Sequence, residues 1–287
     1  PERYINIEGK IPLIGEHNPF RKGLNPFKES CHTEGVNYLK PNKACKYFHS
    51  ETRVAALGDS HSTEIAYSLA KRENFNAKGV LHLTYSGCPP SYTFSSIMQP
   101  IETSLSCHKW TKEAVELIID SSLEEVHINY RHNVYLKGLL ENPSQISDLK
   151  IVDLEGKIVK EKEAFDLYIK SFMEMISSIT RSGKKVYLYQ HFPEISQDLS
   201  IDAYPLHIFS SYLPRPIFNK NGYDQRNDLS KLILESVKGS ENIIYIEYLS
   251  KLCDEKICDL IVDDNLILYD DNHMSLYGVD MIIQAVK

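Results

Sequence analysis

The sequence lacks the features that would point to a membrane, a nucleic acid or a zinc ion. No apolar run approaches the roughly 20 residues of a membrane-spanning helix, and the N-terminus shows no signal-peptide pattern. There is no basic excess, because 32 basic and 39 acidic residues give a net charge of -7, which disfavours a nucleic-acid partner. No two cysteines have the CxxC spacing of zinc ligands. We therefore expect a soluble, folded protein without a metal site.

The cysteines are six in number and fall into three neighbouring pairs along the chain. Such a set is typical of disulfides in an oxidising compartment, and six reduced thiols in a cytosolic protein are the alternative. We expect three local disulfides. Proximity favours the pairs Cys31 with Cys45, Cys88 with Cys107, and Cys253 with Cys258.

Two segments of different character make up the chain. Residues 1–50 are rich in Pro, Asn, Gly and Lys and hold the first cysteine pair, which predicts an irregular, disulfide-stapled extension. Residues 51–287 alternate between short apolar runs and helical patterns, which predicts one α/β domain. Because the chain begins at Pro1 rather than Met, we expect it to be part of a longer protein.

The alternation predicts five strands separated by helices. The strand candidates are residues 53–57, 79–85, 124–130, 184–190 and 242–248. The helix candidates are the segment after Ser60 and residues 109–121, 162–181, 226–238 and 275–286. Strands joined by crossover helices form a mostly parallel, doubly wound sheet. We therefore expect a three-layer α/β/α sandwich.

Two further segments interrupt this alternation. Residues 150–159 have an apolar run on either side of a Glu-Gly pair, which predicts a hairpin. Residues 191–223 contain four prolines and several aromatics, which predicts a long loop of the kind that is often functional. Its aromatic side chains are candidates for a sugar-stacking wall, with packing as the alternative. They are Tyr204, Phe209, Tyr212 and Phe218.

Ser60 lies where the first predicted strand ends and a helix begins. Gly58 permits a sharp turn before it, and amides at the helix start are placed to stabilise an oxyanion. Ligands of open α/β sheets bind at this carboxyl edge. Ser60 is therefore a candidate nucleophile, and a simple helix cap by Asp59 or Ser60 is the alternative.

A second polar turn lies near the C-terminus, after an apolar run. Asp270 precedes His273 by three positions there. A carboxylate at this spacing can orient the imidazole and leave its other nitrogen to take a proton from a serine. Asp271 competes for the carboxylate role, but the spacing favours Asp270. A surface turn with a helix cap at Ser275 is the alternative.

Together these segments resemble the SGNH hydrolase superfamily, in which a Gly-Asp-Ser block supplies the nucleophile and a late Asp-x-x-His block completes the triad. A finer similarity is to the SGNH domain fused behind the membrane part of acyltransferase family 3 proteins, and it covers roughly residues 30–287. The motifs that carry it are residues 56–62, 85–90, 192–194 and 269–275. The resemblance implies a flavodoxin-like sheet and catalytic roles for Ser60, Asp270 and His273.

The resemblance also implies an oxyanion hole that includes the amides of Ser60 and Gly87. Gly87 matches the second block of the superfamily, and a turn glycine beside a disulfide is the alternative. The usual third block, Gly-x-Asn-Asp, is not present, because residues 127–133 carry Asn129 and Arg131 instead. Either of these two is a candidate side-chain donor, and an arginine is common here in the fused family.

Three histidines close to these blocks are not expected to be catalytic. His61 follows the nucleophile, but neighbouring helical residues point in different directions, so we expect it to pack or to line the pocket. His127 and His132 have no cysteine nearby and form no recognisable metal-ligand set. We expect them to be ordinary buried or exposed histidines.

The resemblance implies O-acetyl transfer to a hydroxyl of a cell-surface polysaccharide, such as a lipopolysaccharide O-antigen sugar. An upstream acyltransferase family 3 membrane domain would supply acetyl groups, ultimately from acetyl-CoA, and the domain itself would bind no cofactor. The implied location is the periplasm, as the soluble domain of an inner-membrane protein. A secreted carbohydrate acetylesterase and an inactive polysaccharide-binding module are the alternatives.

Overall fold

A central six-stranded sheet organises the chain in the computed structural model. The structure describes residues 24–74, 78–96, 101–140, 151–155, 157–196, 217–263 and 265–284. The strands in these ranges, six of which form the central sheet, are β1 (Lys46–Tyr47), β2 (Thr52–Gly58), β3 (Gly79–Thr84), β4 (Ser95–Ser96), β5 (Glu125–Asn129), β6 (Ile151–Val152), β7 (Lys185–Tyr189), β8 (Ile217–Asn219), β9 (Ile243–Ile246), β10 (Ile257–Asp259), β11 (Ile261–Val262) and β12 (Asn265–Leu266). The sheet order is β1-β3-β2-β5-β7-β9, with β1 antiparallel and the other neighbours parallel. The five parallel strands thus follow the flavodoxin-like order.

Helices cover both faces of this sheet. They are α1 (Lys28–Cys31), α2 (Thr63–Asn74), α3 (Ile101–Asp120), α4 (His132–Lys137), α5 (Glu161–Arg181), α6 (Lys220–Arg226), α7 (Asp228–Glu235) and α8 (Leu276–Ile283). Because successive strand residues point to opposite faces, Ala55 and Leu57 join the core with α3 and α5, whereas Val54 and Ala56 join the core with α2 and α8. The result is the predicted three-layer α/β/α sandwich. None of the helices in the described ranges is long and apolar enough to cross a membrane.

The five predicted parallel strands are confirmed, but some helix ends differ from the prediction. Helix α3 already begins at Ile101. The helix predicted over 226–238 corresponds to α7, which spans only Asp228–Glu235, and α6 begins within the segment predicted as a loop and ends before Asn227. Asn227 is fully buried there, donates to the Tyr223 carbonyl oxygen at 2.8 Å and accepts from Asn133 at 2.6 Å. These side-chain bonds fix Asn227, between the two helices, to α6 and α4.

The described part of the N-terminal extension lies against the main sheet. Strand β1 forms the sheet edge, and Thr33 pairs with the chain just beyond β3, where its amide donates to the Thr84 carbonyl oxygen at 3.1 Å. A disulfide closes this segment. All three predicted disulfides are present, namely Cys31–Cys45, Cys88–Cys107 and Cys253–Cys258. The extension is thereby fixed beside the carboxyl ends of the strands.

The two interrupting segments differ in how far the structure describes them. The predicted hairpin is present: β6 pairs with β4, and the Val159 amide donates to the Ile151 carbonyl oxygen at 2.8 Å. Of the predicted loop, residues 197–216 lie outside the described residues, and so do Tyr204, Phe209 and Tyr212. Phe218 is buried in β8 with its ring 5.9 Å from that of Tyr223, so it packs in the core and is not part of a sugar-stacking wall.

Candidate active site

The serine turn begins where β2 ends. Gly58 lies so close to β5 that a Cβ atom would be 1.9 Å from the main-chain oxygen of Asn129, and only glycine fits there. The carboxylate of Asp59 accepts the His61 amide at 2.9 Å and so caps the 3₁₀ turn that starts at Ser60. The turn leads into α2. Ser60 therefore lies at the carboxyl edge of the sheet, where the strand order reverses between β2 and β5.

The Asp270 turn reaches the same place from the other end of the chain. His273 Nε2 lies 2.8 Å from Ser60 Oγ, and His273 Nδ1 lies 2.8 Å from Asp270 Oδ2. The second carboxylate oxygen, Oδ1, accepts the amides of Asn272 and His273 at 2.9 and 2.6 Å. The structure thus brings the three predicted triad residues together. The order of serine, imidazole and carboxylate is the one that activates a serine nucleophile.

The protonation of this set suits proton transfer. Burial alone would raise the pKa of Asp270, but the hydrogen bond and charge of His273 and two backbone amides lower that pKa below the usual carboxyl value. The ionised Asp270 accepts a hydrogen bond from His273 Nδ1, and Nε2 is left to accept the serine proton. The His273 and Asp270 side chains remain 17% and 26% exposed, so a substrate can reach them.

Asp271, the competing carboxylate, has other partners. Its side chain accepts the Asn272 side-chain amide at 2.8 Å. Its main-chain oxygen accepts the Ile195 amide at 2.8 Å, which fastens the turn to the segment that follows β7. The contacts therefore agree with the spacing argument for Asp270.

Two rings lie nearly parallel to the His273 imidazole. The His61 ring is 4.3 Å away between centroids and the Tyr269 ring is 5.4 Å away. Tyr269 also accepts a hydrogen bond from Lys28 Nζ at 2.9 Å. His61 packs against the site as predicted. The contact with Tyr269 is not predicted, and its position directly before Asp270 is the signal that could have indicated it.

The predicted oxyanion donors belong to three different segments of the chain. Gly87 follows β3 in a left-handed turn (φ +59°), which suits glycine. Asn129 ends β5, and its side-chain amide donates to the His61 main-chain oxygen at 3.2 Å, directly beside the serine turn. The Arg131 guanidinium instead bonds to Glu194 at 3.2 Å. Of the two candidate side chains, Asn129 is the one held against the serine turn.

Glu194 is the last residue of the Phe-Pro-Glu motif at residues 192–194, which follows β7. Its carboxylate is buried and bonds to both Arg131 and Arg226, at 3.2 and 2.7 Å. Burial alone would raise the pKa of Glu194, but the two guanidinium charges lower it. This ion pair network fixes the chain after β5 to the chain after β7.

Asp59 is a second buried anion at the site, and the sequence indicates it only as a helix cap. In addition to the His61 amide, it accepts the Arg131 amide at 2.8 Å and the Tyr135 hydroxyl at 2.9 Å. Burial alone would raise the pKa of Asp59, but His61 and the backbone amides lower it to about 2. Its charge therefore ties the end of β2 to the chain that follows β5.

The other two histidines near the motifs have structural partners. His127 Nδ1 bonds to the Tyr189 hydroxyl at 2.7 Å, and His132 Nδ1 bonds to the Tyr168 hydroxyl at 2.8 Å. Both rings are buried. Within the part of the chain that the structure describes, no three His, Cys, Asp or Glu residues are grouped so that they could hold a metal ion.

Comparison with known proteins gives the family. Residues 30–287 match the SGNH domain that is fused to AT3 domains. The chain belongs to this family. No match was found among curated protein sequences. The assignment agrees with the flavodoxin-like order of the parallel strands and with the position of the two motif turns at one edge of the sheet.

Several solved structures are similar to this domain. The SGNH domain described here is similar to the periplasmic domain of a lipopolysaccharide acetyltransferase from Salmonella ser. Paratyphi A, with a TM-score of 0.53, 14% identity and 82% of each chain covered. A catalytic mutant of an acetylxylan esterase from Geobacillus stearothermophilus gives a TM-score of 0.43 at 10% identity, over 83% of this chain and 93% of that chain. A GDSL-like lipase from Bacteroides thetaiotaomicron gives 0.41 at 12% identity, over 82% and 87%.

Proposed function

We propose that this SGNH domain is an O-acetyltransferase that passes an acetyl group through Ser60 to a hydroxyl of a cell-surface polysaccharide. The observation that carries the proposal is the 2.8 Å contact between His273 Nε2 and Ser60 Oγ, in a family fused to AT3 domains. The Salmonella structure described as a lipopolysaccharide acetyltransferase favours an O-antigen sugar as acceptor. The proposed location is the periplasm, as part of an inner-membrane protein whose AT3 domain supplies acetyl groups, ultimately from acetyl-CoA.

The proposed reaction has two acyl transfers. Ser60 Oγ attacks the acetyl carbonyl carbon of the donor while His273 Nε2 takes the serine proton, and the leaving group receives that proton when the tetrahedral intermediate collapses. A sugar hydroxyl then attacks the acetyl ester of Ser60 and gives its proton to His273, which returns it to Ser60 Oγ when the acetylated sugar leaves. Asp270 stays ionised and stabilises the imidazolium in both steps.

The negative oxygen of each tetrahedral intermediate needs hydrogen-bond donors. We assign this role to the amides of Ser60 and Gly87 and to the side chain of Asn129, with Arg131 as the alternative. The contact of Asn129 with the serine turn supports the first choice, because its Nδ2 has a second hydrogen besides the one donated to His61.

Acceptor competition tests the transferase proposal against a secreted acetylesterase. The purified domain is given a small activated acetyl ester with increasing amounts of O-antigen polysaccharide, and acetylated polysaccharide and free acetate are both measured. A transferase yields more acetylated polysaccharide than acetate at high acceptor concentration. Acetate as the sole product would favour the esterase. Failure of a serine-directed reagent to label Ser60 would favour a polysaccharide-binding module.

A further inference from the structure

His61 connects the serine turn to two parts of the site that are distant from it in the chain. Its amide donates to Asp59, and its main-chain oxygen accepts the Asn129 side-chain amide. Its ring nitrogen Nε2 lies 3.1 Å from the main-chain oxygen of Asn272, the residue directly before His273. Because a carbonyl oxygen can only accept, His61 Nε2 is the donor in this bond.

The His61 ring is neutral as well as stacked on the His273 imidazole. The two centroids are 4.3 Å apart with an angle of 30° between the planes. Burial and the charges of His273 and Arg131 lower the pKa of His61, whereas the Asp59 carboxylate, 3.6 Å from Nδ1, acts in the opposite direction without restoring it. The single proton of the neutral ring is therefore the one on Nε2, which bonds to Asn272.

We propose that His61 is a positioning residue for acyl transfer, in which its Nε2–H holds the Asn272 carbonyl and so fixes the distance of His273 from Ser60. The inference rests on the proposed function, because it assigns His61 a task in that same site. A neutral ring suits the task. His273 becomes positively charged when it takes the serine proton, and a second cation at stacking distance would oppose that step.

Two substitutions separate the hydrogen bond from the ring. His61→Phe keeps a flat ring beside His273 but has no donor, whereas His61→Gln keeps an amide N–H that can reach the Asn272 carbonyl. With a small activated acetyl ester, we expect kcat to fall about 10- to 100-fold in His61→Phe with KM nearly unchanged, because the imidazole is misplaced. In His61→Gln we expect kcat to stay within about 3-fold of the unaltered protein.

His127→Phe is the matched control. His127 is also fully buried and stacks on an aromatic ring, that of Tyr187, at the same 4.3 Å between centroids. Its ring contacts tyrosines of β7 rather than the triad. We expect kcat of this variant to be unchanged, with circular dichroism and thermal unfolding as folding controls for all three variants.

Nitrogen-15 NMR of the histidine rings in the unaltered protein gives a second readout that needs no variant. We expect His61 to carry its proton on Nε2 alone. We also expect a downfield Nδ1–H signal for His273 that is lost in His61→Phe and kept in His61→Gln. A proton on His61 Nδ1, full activity in His61→Phe, or equal losses in the Phe and Gln variants would overturn the proposal. Turnover retained in Ser60→Ala would instead reject the proposed function itself.

Discussion

Two pairs of a carboxylate and an imidazole lie at the serine turn. In the open pair, Asp270 and His273 are 2.8 Å apart and their side chains are 26% and 17% exposed. In the closed pair, Asp59 and His61 are 3.6 Å apart and their side chains are 2% and 3% exposed. The residue types are the same. The two pairs differ in the groups that they contact. In the open pair, His273 Nε2 faces the Ser60 hydroxyl, whereas Asp59 of the closed pair accepts the Arg131 amide and the Tyr135 hydroxyl.

A catalytic pair of carboxylate and imidazole differs from a structural pair in the groups that its members contact. Each carboxylate accepts two main-chain amides and one side-chain hydrogen bond. The donors to Asp59 include the Arg131 amide and the Tyr135 hydroxyl, so its charge holds distant segments of the chain together. Among the described residues, the side-chain partner of Asp270 is His273, whose second nitrogen faces Ser60. A carboxylate beside an imidazole is thus a candidate for catalysis only when the imidazole also faces a nucleophile.

Breaking the open pair should have the largest effect. Ser60→Ala and His273→Ala should each lower turnover of an activated acetyl ester by at least about 10⁴-fold, because the serine is a poor nucleophile without the imidazole. The double variant should be scarcely worse than either single variant, since the two residues act as a unit. Asp271→Ala is the control and should stay active. An inactive Asp271→Ala together with an active Asp270→Ala would contradict the assignment of the pair.

Substitution of the candidate oxyanion donors should have the next largest effect on turnover. Asn129→Ala should lower kcat by about 10² to 10³, the usual loss for one oxyanion donor. Arg131→Ala should lower it by less, because the Arg131 guanidinium bonds to Glu194. Steady-state kinetics on both variants distinguish the candidates. A larger loss in Arg131→Ala would assign the donor to the arginine, and two fully active variants would mean that backbone amides suffice.

The same substitution in the two carboxylates should affect stability in one pair and turnover in the other. Asp59→Asn should lower the free energy of unfolding by about 3 kcal/mol, because it removes a hydrogen-bonded charge whose side chain is 2% exposed, against 26% for Asp270. Asp270→Asn should change that free energy by less than about 1 kcal/mol yet lower kcat by about 10⁴-fold. Urea unfolding at pH 7 with parallel kinetics measures both. Equal losses of stability in the two variants would show that the pairs do not differ as described.

The stabilising contribution of Asp59 should also depend on pH in a definite direction. Its pKa in the folded protein is lowered to about 2. The contribution is therefore fully present above the ordinary carboxyl pKa of the unfolded chain and is lost as the pH falls towards 2. The difference in unfolding free energy between Asp59→Asn and the unaltered protein should accordingly shrink in acid.

The smallest effect concerns a buried histidine that belongs to neither pair. His82 bonds to the Tyr47 hydroxyl at 2.6 Å, and burial, with the charge of His32, lowers its pKa from 6.5 to about 3. Between pH 6.5 and about pH 3, His82 takes up a proton in the unfolded chain but not in the folded protein. The free energy of unfolding therefore falls as the pH falls. One such histidine accounts for about 2 kcal/mol between pH 7 and pH 5.

Substitution of this histidine should flatten the pH dependence of unfolding. Urea unfolding of His82→Gln at pH 7 and pH 5 should show a smaller difference than the unaltered protein. His108→Gln, at a histidine that is only partly buried, is the control. Identical pH slopes in His82→Gln and the unaltered protein would contradict the explanation.

The sequence was sufficient to predict the open pair, the serine turn and the parallel strands. The residues of the Asp270 turn are close together in the chain, and Ser60 follows an apolar strand, so local spacing and periodicity carried the information. Proximity along the chain also predicted the three disulfides, because each joins two neighbouring cysteines of the sequence.

The closed pair and the choice of oxyanion donor could not be predicted in this way. The partners of Asp59 come from the chain after β5 and from α4, and Arg131 is held by Glu194 beyond β7. Such contacts form only when the strands lie side by side, and the residues involved are far apart in the chain. Spacing within a motif therefore cannot predict them.

Acyl transfer through Ser60 requires an acetyl-serine during turnover. The domain is mixed with a small activated acetyl ester and quenched in acid, and its peptides are examined by mass spectrometry. We predict an acetyl group on the peptide that contains Ser60, its absence in Ser60→Ala, and its loss when polysaccharide acceptor is added before the quench. Turnover that proceeds with no acetyl group on Ser60, or with an equal amount on another residue, would contradict the account.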